Sequence, residues 1–190
     1  VIFEIDKVAD NYQESIQYPS LNVRGLKSGW VEKEVRTIIP SFALAEIDVR
    51  LVKETDPNRL IGLIKEHIQK QGYHITKKDP SDEERMKYGR LITFKSKISY
   101  TAFRTPIDSP IGDWLSSAIR NGFGMEPIIK RTSGGSVPIS PFVNTLGVPA
   151  VTVPTVNPDN NQHSPNENIR VGNLIESVRT HLAILAQPYK

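Results

Sequence analysis

An alternating run at residues 42–52 (FALAEIDVRLV) constrains the fold of this chain more than any other segment. One face of the run carries only small and aliphatic side chains: Ala43, Ala45, Ile47, Val49 and Leu51. The opposite face carries three charged side chains: Glu46, Asp48 and Arg50. A period of two with a polar half-face predicts a strand that is covered on one side only.

A helix is predicted directly after this strand. Asp56 and Pro57 are residues that favour the N-cap and the first helical position. Apolar residues then recur at helical spacing, namely Leu60, Ile61, Ile64 and Ile68. Gly72 is placed to end the helix.

Two further strand-like runs, YGRLITF and KISYTAF, lie within residues 88–103, and the charged segment at residues 77–86 is predicted to be a loop. A strand, a helix and further strands indicate a small α+β layer over roughly residues 18–98.

From about residue 99 the pattern changes to strands that alternate with helices. Strands are predicted at ISYTAF, PIIK and VPAVTV. Helices are predicted from Ser109-Pro110 to Gly122, from near Pro138, and over residues 171–186. This order favours an α/β fold with a mixed sheet and helices on its faces. We therefore predict two domains, at residues 1–98 and 99–190.

Composition excludes several classes of protein. Hydrophobic residues make up 38% and charged residues 24% of the chain, as in ordinary soluble globular proteins. No apolar run approaches the length of a membrane span. The net charge is only +3 and the basic residues are dispersed, which argues against a nucleic-acid or membrane-surface protein. The absence of cysteine excludes disulfides and thiolate metal sites, and leaves the compartment (cytoplasmic or exported) open.

The opening residues, VIFEID at 1–6, do not form a signal peptide, because acidic residues interrupt their apolar stretch. A chain that begins at Val1 is expected to have been processed, trimmed or observed only in part.

Candidate site residues lie in three loops that follow predicted strands, at residues 104–108, 132–136 and 157–167. If these strands run parallel, the loops gather at one rim of the sheet. His163 lies in the longest and most polar loop. Its imidazole either binds zinc, oriented by a neighbour such as Glu167 or Asn161, or only hydrogen-bonds within its own loop.

Three other patterns have a functional and a structural interpretation. Gly134, Gly135 and Ser136 precede Pro138 and either bind an anion at a helix start or form a tight turn. Arg50 either binds a carboxylate or pairs with Asp48 or Glu46 on its own face. The Glu83-Glu84 pair is interpreted as a solvated charged run rather than a catalytic acid pair.

Five short motifs together resemble the M20 metallopeptidases, the family of carnosinase, aminoacylase and succinyl-diaminopimelate desuccinylase. In chain order they are YPSL at 18–21, TIIP at 37–40 followed by IDVRLV at 47–52, RTP at 104–106, GGSVP at 134–138, and HSPNE at 163–167. Each motif is weak alone, but the order and spacing match over nearly the whole chain. The first two resemble most the carnosinase-type dipeptidases.

The resemblance implies a two-domain subunit. Its catalytic α/β domain holds two zinc ions, with other divalent metals possible, and its inserted α+β (ferredoxin-like) lid closes over the substrate and forms a homodimer. The substrate is a small peptide or an N-acyl amino acid. The implied reaction is amide hydrolysis by a zinc-activated water, with a glutamate that shuttles the proton.

The resemblance also assigns roles to individual residues. By this resemblance His163 is the last metal ligand, and Arg50 holds the substrate's C-terminal carboxylate. Gly134, Gly135 and Ser136 line the substrate pocket. Thr37 reaches a substrate that is bound in the neighbouring subunit. No catalytic acid or base of the family matches a residue of this chain.

The chain departs from the family in one large respect. The family's other ligands and its base come from a His-x-Asp motif, a bridging Asp, a Glu-Glu pair and a further acid ahead of the lid, and no His-x-Asp occurs here. The expected protein is therefore a fragment of a dipeptidase-like exopeptidase that binds no zinc stably and is inactive alone. The alternative is a non-catalytic dimerisation or binding module derived from this family.

Overall fold

The computed structural model describes residues 8–189, and shows a mixed α/β protein with small sheets and helices. Residues 1–7, which include the opening VIFEID segment and the start of the first predicted domain, lie outside the described residues.

Ten helices and strands organise the described residues. In chain order they are α1 (Tyr12–Ser15), β1 (Ser20–Ser28), β2 (Ala43–Arg50), α2 (Pro57–Lys70), β3 (His74–Thr76), α3 (Asp82–Lys87), β4 (Leu91–Thr93), α4 (Pro110–Phe123), α5 (Ser140–Leu146) and α6 (Val171–Ala186). A single 3₁₀ turn, Glu32–Glu34, lies in the loop between β1 and β2. Within the described part of the chain, no helix is both long enough and apolar enough to cross a membrane.

The chain forms two compact units. The first comprises the residues up to Phe103 together with Gly134–Ser140, and the second comprises Arg104–Ser133 and the residues from Pro141 onward. The assignment of a lid at 1–98 and a catalytic portion at 99–190 stays a prediction.

The first unit is built around an antiparallel hairpin of β1 and β2. Arg50 pairs with Ser20 at one end of the register and Ala43 pairs with Ser28 at the other. The register shifts between Val23 and Gly25, so that one extra residue bulges out of β1. The strand predicted over residues 42–52 is confirmed.

The prediction that this strand is covered on one side is wrong for the described chain. Ile47, on the aliphatic face of β2, is 46% exposed, and its partner Val23 on β1 is 54% exposed. A regular alternation fixes which side chains share a face, but it does not say what packs on that face. The aliphatic face of the hairpin therefore lies open in this structure.

The predicted helix after β2 is confirmed. The Asp56 carboxylate caps α2 by accepting from the backbone N–H groups of Asn58 at 2.8 Å and Arg59 at 3.4 Å. These bonds satisfy two of the donors that a helix start leaves without a partner. Pro57 occupies the first turn, as expected.

A short parallel pair, β3 and β4, follows α2. The hydroxyls of Thr76 and Thr93 lie 3.1 Å apart and join the two strands beside their backbone ladder. The strand predicted in YGRLITF is thus confirmed at Leu91–Thr93. The loop predicted at residues 77–86 is partly wrong, because Ser81 and Glu84 form a capping box that starts α3.

The second unit is organised by the packing of α4 against α6. Ala118 and Ile184 are its buried apolar residues within the described chain. A Cβ added at Gly122 would lie 2.7 Å from the Ala183 Cβ, so a glycine allows the two helices to approach closely. The indole N–H of Trp114 donates to the carbonyl of Gln187 at 3.0 Å and ties the end of α6 to α4.

The strands predicted at ISYTAF, PIIK and VPAVTV are wrong in this structure, since none of these segments pairs as a strand among the described residues. A β-prone segment becomes a strand only when a neighbour accepts and donates its backbone hydrogen bonds. At Ala150 a side chain takes that place: the Thr105 hydroxyl donates to the carbonyl at 2.6 Å and accepts from the N–H at 3.0 Å.

The chain exposes far more surface than its mass requires. Its accessible surface is 15647 Å², whereas two separate folded domains of the same combined mass would expose about 11,000 Å². Much of the exposed surface is apolar, and α6 carries an exposed stripe at helical spacing that consists of Val171, Leu174, Ile175, Val178, Leu182 and Leu185. A stripe of this kind is a contiguous apolar patch, which folded domains seldom expose to solvent.

Candidate functional site

Arg50 stands at the end of β2 and is held by a carboxylate on its own strand. Its Nε donates to the Asp48 Oδ2 at 2.6 Å, as expected for side chains two residues apart on one face of a strand. Glu46, the other candidate partner, instead pairs with Arg24 across the hairpin at 3.1 Å. The interpretation of Arg50 as the partner of Asp48 is thus confirmed.

Arg50 also makes a second contact, far away in sequence. Its Nη1 donates to the Ser136 hydroxyl at 2.8 Å, and both residues belong to the first unit. A guanidinium has five N–H donors, so these two contacts leave three of them for a ligand. The structure thus brings together two residues that the sequence had proposed separately for substrate binding.

Gly134 shows why the turn before Ser136 needs a glycine. Its φ is +73°, in the left-handed region, and an added Cβ would lie 3.3 Å from the Ile16 Cγ2 on the neighbouring segment. The following helix, α5, begins at Ser140, which confirms the short helix predicted to start near Pro138, and it has only seven residues. The geometry favours the tight-turn interpretation of Gly134-Gly135 over an anion site at a helix start.

Thr37 is not brought to this cluster. It lies exposed in the loop between β1 and β2, and in the described chain no hydrogen bond joins it to Arg50 or Ser136. Its role with a neighbouring subunit stays a prediction.

Glu83 and Glu84 lie in the first turn of α3 and cap it, whereas the sequence was interpreted as a solvated run in a loop. Glu83 accepts from the Ser81 hydroxyl at 2.9 Å, and Glu84 accepts from the Ser81 backbone N–H at 2.9 Å. Both carboxylates thereby complement the positive end of α3.

His163 lies in the second unit, in a loop with unusual backbone angles. Asn161, His163 and Asn166 all have positive φ, at 53°, 63° and 62°. Left-handed backbone is uncommon outside glycine and clusters at functional sites. The His163 side chain is exposed, so its imidazole can reach a ligand from outside the loop.

The orientation expected for His163 is not present. Within the described residues no hydrogen bond joins its ring to Asn161 or Glu167, and the Asn161 carbonyl instead accepts from the Ser164 N–H at 2.9 Å. The prediction that one of these side chains orients the imidazole is wrong in this structure. This bond closes a turn over residues 161–164, and His163 is one of its two central residues.

Buried polar residues hold the two ends of this loop together. Asn157 is 1% exposed and Asn160 is 7% exposed. Asn157 contacts Asp159, Asn168 and the backbone of Arg170. The Asn157 hydrogen bond is the largest cause that holds the pKa of the Asp159 carboxyl below its ordinary value, and the charge of Arg170 adds to it. This network was not predicted, because the sequence of a polar loop does not reveal which of its asparagines is buried.

A further ion pair was also missed. The Arg120 guanidinium binds the Glu126 carboxylate through two parallel bonds, of 2.6 Å and 2.9 Å. This geometry raises the pKa of Arg120 and lowers the pKa of Glu126. Both groups are exposed, so the pair joins the end of α4 to the next segment without forming a site.

The metal-binding capacity of the described residues is limited. Residues 8–189 contain no group of three or more His, Cys, Asp or Glu side chains placed to hold a metal ion. The exposed imidazole of His163 fits a single zinc ligand, but one ligand does not make a site. That His163 and the glycine turn face one cleft stays a prediction.

The chain is similar in sequence to a peptidase family model and to known dipeptidases. The family model described as Peptidase dimerisation domain matches residues 1–76. The Cys-Gly metallodipeptidase DUG1 of Saccharomyces cerevisiae is 24% identical over 192 residues, which cover 95% of this chain and 35% of the relative. The human Beta-Ala-His dipeptidase is 26% identical over 176 residues, which cover 90% of this chain and 32% of the relative. The chain thus spans about a third of the length of these curated relatives.

The fold of the chain is also similar to that of two solved peptidase structures. An M20 family metallo-carboxypeptidase from Sulfolobus solfataricus, Sso-CP2, has a TM-score of 0.65 and 27% identity over 90% of this chain and 36% of that chain. Human carnosine dipeptidase 1 has a TM-score of 0.67 and 23% identity, over 92% of this chain and 35% of that chain, and shows the shared fold.

Proposed function

Because this chain is homologous to the M20 metallopeptidases and carries their dimerisation domain, we propose that it forms the lid and the last third of the catalytic domain of a metal-dependent exopeptidase. The proposed enzyme hydrolyses the amide bond of a dipeptide or an N-acyl amino acid. The contact between Arg50 and Ser136 is the observation that carries this proposal.

Arg50 and Ser136 form the proposed clamp for the substrate's free carboxylate. Asp48 and Ser136 each engage one side of the guanidinium, which fixes its plane before a ligand arrives. The donors that remain can grip a carboxylate with two parallel bonds. A planar cation held in this way selects substrates with a free C-terminal carboxylate, as an exopeptidase requires.

His163 is the proposed metal ligand of this chain. Its exposed ring lies on a loop that buried asparagines hold, so an imidazole nitrogen is available at a defined position. Two zinc ions, when bound, supply an activated water and polarise the scissile carbonyl. The other ligands and the glutamate that shuttles the proton come, in this proposal, from polypeptide outside the 190 residues.

The 190 residues are proposed to be inactive alone. The exposed apolar stripe of α6 and the large accessible surface support this, because both are expected of a domain whose partner segments are missing. The segments ISYTAF, PIIK and VPAVTV are then proposed to become strands once those partners are present.

A homodimer through the lid is also proposed. The dimerisation-domain match covers the loop between β1 and β2, where five large apolar side chains are exposed, namely Val31, Val35, Ile38, Ile39 and Phe42. Thr37 lies among them and is proposed to reach the substrate of the neighbouring subunit. Light scattering that shows only monomers of the longer protein would count against this part.

Metal analysis and peptide hydrolysis on the longer protein that contains this chain test the proposal. We expect close to two zinc ions per subunit and cleavage of dipeptides that have a free carboxylate. A metal-free protein that cleaves no dipeptide would contradict it.

A second candidate function is a dimerisation or binding module that has lost catalysis. The absence of a three-ligand group among the described residues favours it. The two candidates differ in one observation, since only the peptidase requires a His-x-Asp motif upstream of this chain in its gene.

A further inference from the structure

The most deeply buried polar side chain of the second unit belongs to Asn157, at the start of the His163 loop. Asn157 is 1% exposed, and it is one of the two largest fully buried side chains among the described residues. Burying an amide is unfavourable unless its donors and acceptor are bonded. The position of Asn157 therefore depends on the contacts that it makes.

Those contacts join both ends of the loop. The Asn157 Oδ1 accepts from the Arg170 backbone N–H at 3.0 Å. Its Nδ2 donates to the Asp159 Oδ1 at 2.8 Å and to the Asn168 Oδ1 at 3.3 Å. One amide thus ties the segment that enters the loop to the segment that leaves it.

A second buried asparagine repeats this connection inside the loop. The Asn160 Oδ1 accepts from the Gln162 N–H at 2.8 Å, and the Asn160 carbonyl accepts from the Asn168 N–H at 2.9 Å. Arg170 also pairs with the Asp159 carboxylate. The tip that carries His163 is therefore held by two sets of hydrogen bonds, one from Asn157 and one from Asn160.

The tip needs such support because its backbone is unfavourable. His163 itself has a φ of 63°, and Asn161 and Asn166 on either side are also left-handed. Side chains with a Cβ adopt this region at a cost, so the conformation persists only when surrounding contacts impose it.

We infer that Asn157 is a positioning residue for His163: its buried amide clamps the loop and sets the direction of the imidazole for metal binding. This inference rests on the proposed role of His163 as a metal ligand. Asn157 does not touch the imidazole. It acts through the backbone of residues 158–169, which distinguishes it from a side chain that bonds the ring directly.

The test compares four variants of the longer, metal-binding protein. Asn157→Ala removes all three contacts, and Asn157→Asp keeps the shape and the Oδ1 acceptor but replaces the amide donors with an oxygen that repels Asp159. His163→Ala removes the ligand. Gln162→Ala is the control, because it alters the neighbour of His163 while the contact at position 162 uses only its backbone N–H.

Three quantities are measured on each variant: zinc affinity by competition with a chelating dye, amide hydrogen exchange of residues 158–169, and the melting temperature. We expect both Asn157 variants to speed exchange in the loop and to weaken zinc binding on the order of 10- to 100-fold. His163→Ala should weaken zinc binding at least as much without faster exchange at residues 157 and 170, and Gln162→Ala should change neither quantity.

Two results would overturn the inference. One is faster loop exchange with zinc affinity within twofold of the parent, while His163→Ala still weakens binding, because Asn157 would then be structural only. The other is global unfolding of the isosteric Asn157→Asp variant, since the inference confines its effect to the loop. If His163→Ala leaves zinc affinity unchanged, the proposed ligand role of His163 itself fails.

Discussion

The Arg50 Nη1 donates to the Ser136 hydroxyl at 2.8 Å, although 86 positions separate the two residues. Through this contact the IDVRLV motif on β2 and the GGSVP motif in the glycine turn contribute to one proposed site, which binds the substrate carboxylate. The turn provides the Ser136 hydroxyl, which accepts from Nη1 of the guanidinium, and β2 provides the Asp48 carboxylate, which accepts from its Nε.

Ser136→Ala tests the weaker half of this clamp. The variant removes the hydroxyl but keeps Asp48, so the Arg50 guanidinium loses only one of its two contacts. In the longer enzyme we expect KM for a dipeptide to rise about threefold to tenfold, which corresponds to the roughly 0.7–1.4 kcal/mol of one ordinary hydrogen bond, with little change in kcat. Steady-state kinetics check this, with Ser28→Ala, whose hydroxyl bonds the Phe42 carbonyl, as the control.

Gly134→Ala is expected to destabilise the first unit. The residue has a φ of +73°, and the new Cβ would lie 3.3 Å from the Ile16 Cγ2. We expect a loss on the order of 1–2 kcal/mol in the free energy of unfolding, measured by denaturant titration. Gly89→Ala is the matched control, because its Cβ would meet no atom within 4 Å and its φ is not left-handed. Equal effects of the two variants would contradict the assignment of strain to Gly134.

Two helical glycines should respond to alanine with opposite signs. Gly62 in α2 has no atom within 4 Å of an added Cβ, so Gly62→Ala should stabilise the protein by about 0.5–1 kcal/mol. At Gly122 in α4 the added Cβ would lie 2.7 Å from the Ala183 Cβ, so the same change should destabilise by about 1–3 kcal/mol. Thermal melts of both variants measure the difference, and stabilisation by Gly122→Ala would show that α4 and α6 do not pack closely.

Acid should loosen the loop that carries His163. Asn157 and Arg170 lower the pKa of Asp159 in the folded protein. A lowered pKa contributes stability above the ordinary carboxyl pKa, and this stability is lost as the pH falls through the folded value. Hydrogen exchange of residues 158–169 should therefore be slow at neutral pH and, after correction for intrinsic rates, faster once the pH has fallen through the lowered pKa of Asp159. Asn157→Ala should raise the pKa of Asp159, as NMR titration can measure, and an unchanged pKa would contradict the stated cause.

Local patterns in the sequence predicted local structure well. The alternation around Arg50 predicted β2, and Asp56-Pro57 predicted the start of α2, because both depend on neighbouring residues only. The resemblance to the M20 family and the mixed α/β class were confirmed. The choice of Asp48 rather than Glu46 as the partner of Arg50 was left open by the sequence, since both lie on one face.

The features that the sequence did not predict share a physical cause. Each of them depends on contacts with residues that are distant in sequence. Whether VPAVTV becomes a strand depends on a neighbouring strand, and here the hydroxyl of Thr105 satisfies Ala150 instead. Whether Asn157 is buried depends on Arg170 and Asn168, which a one-dimensional pattern does not bring together. The contact of Arg50 with Ser136 was out of reach for the same reason.

Arg50 is proposed to hold the free carboxylate of a peptide substrate, so KM should depend on whether that carboxylate is present. The longer enzyme and its Arg50→Met variant are assayed with a dipeptide and with the C-terminal amide of that dipeptide. Arg24→Met is the control, because Arg24 pairs with Glu46 on the same hairpin and has no proposed contact with substrate. We predict that Arg50→Met raises KM for the dipeptide by about 10- to 100-fold and changes KM for the amide little. An unchanged KM for the dipeptide, or an equal rise of KM for both substrates, would show that Arg50 does not bind the free carboxylate.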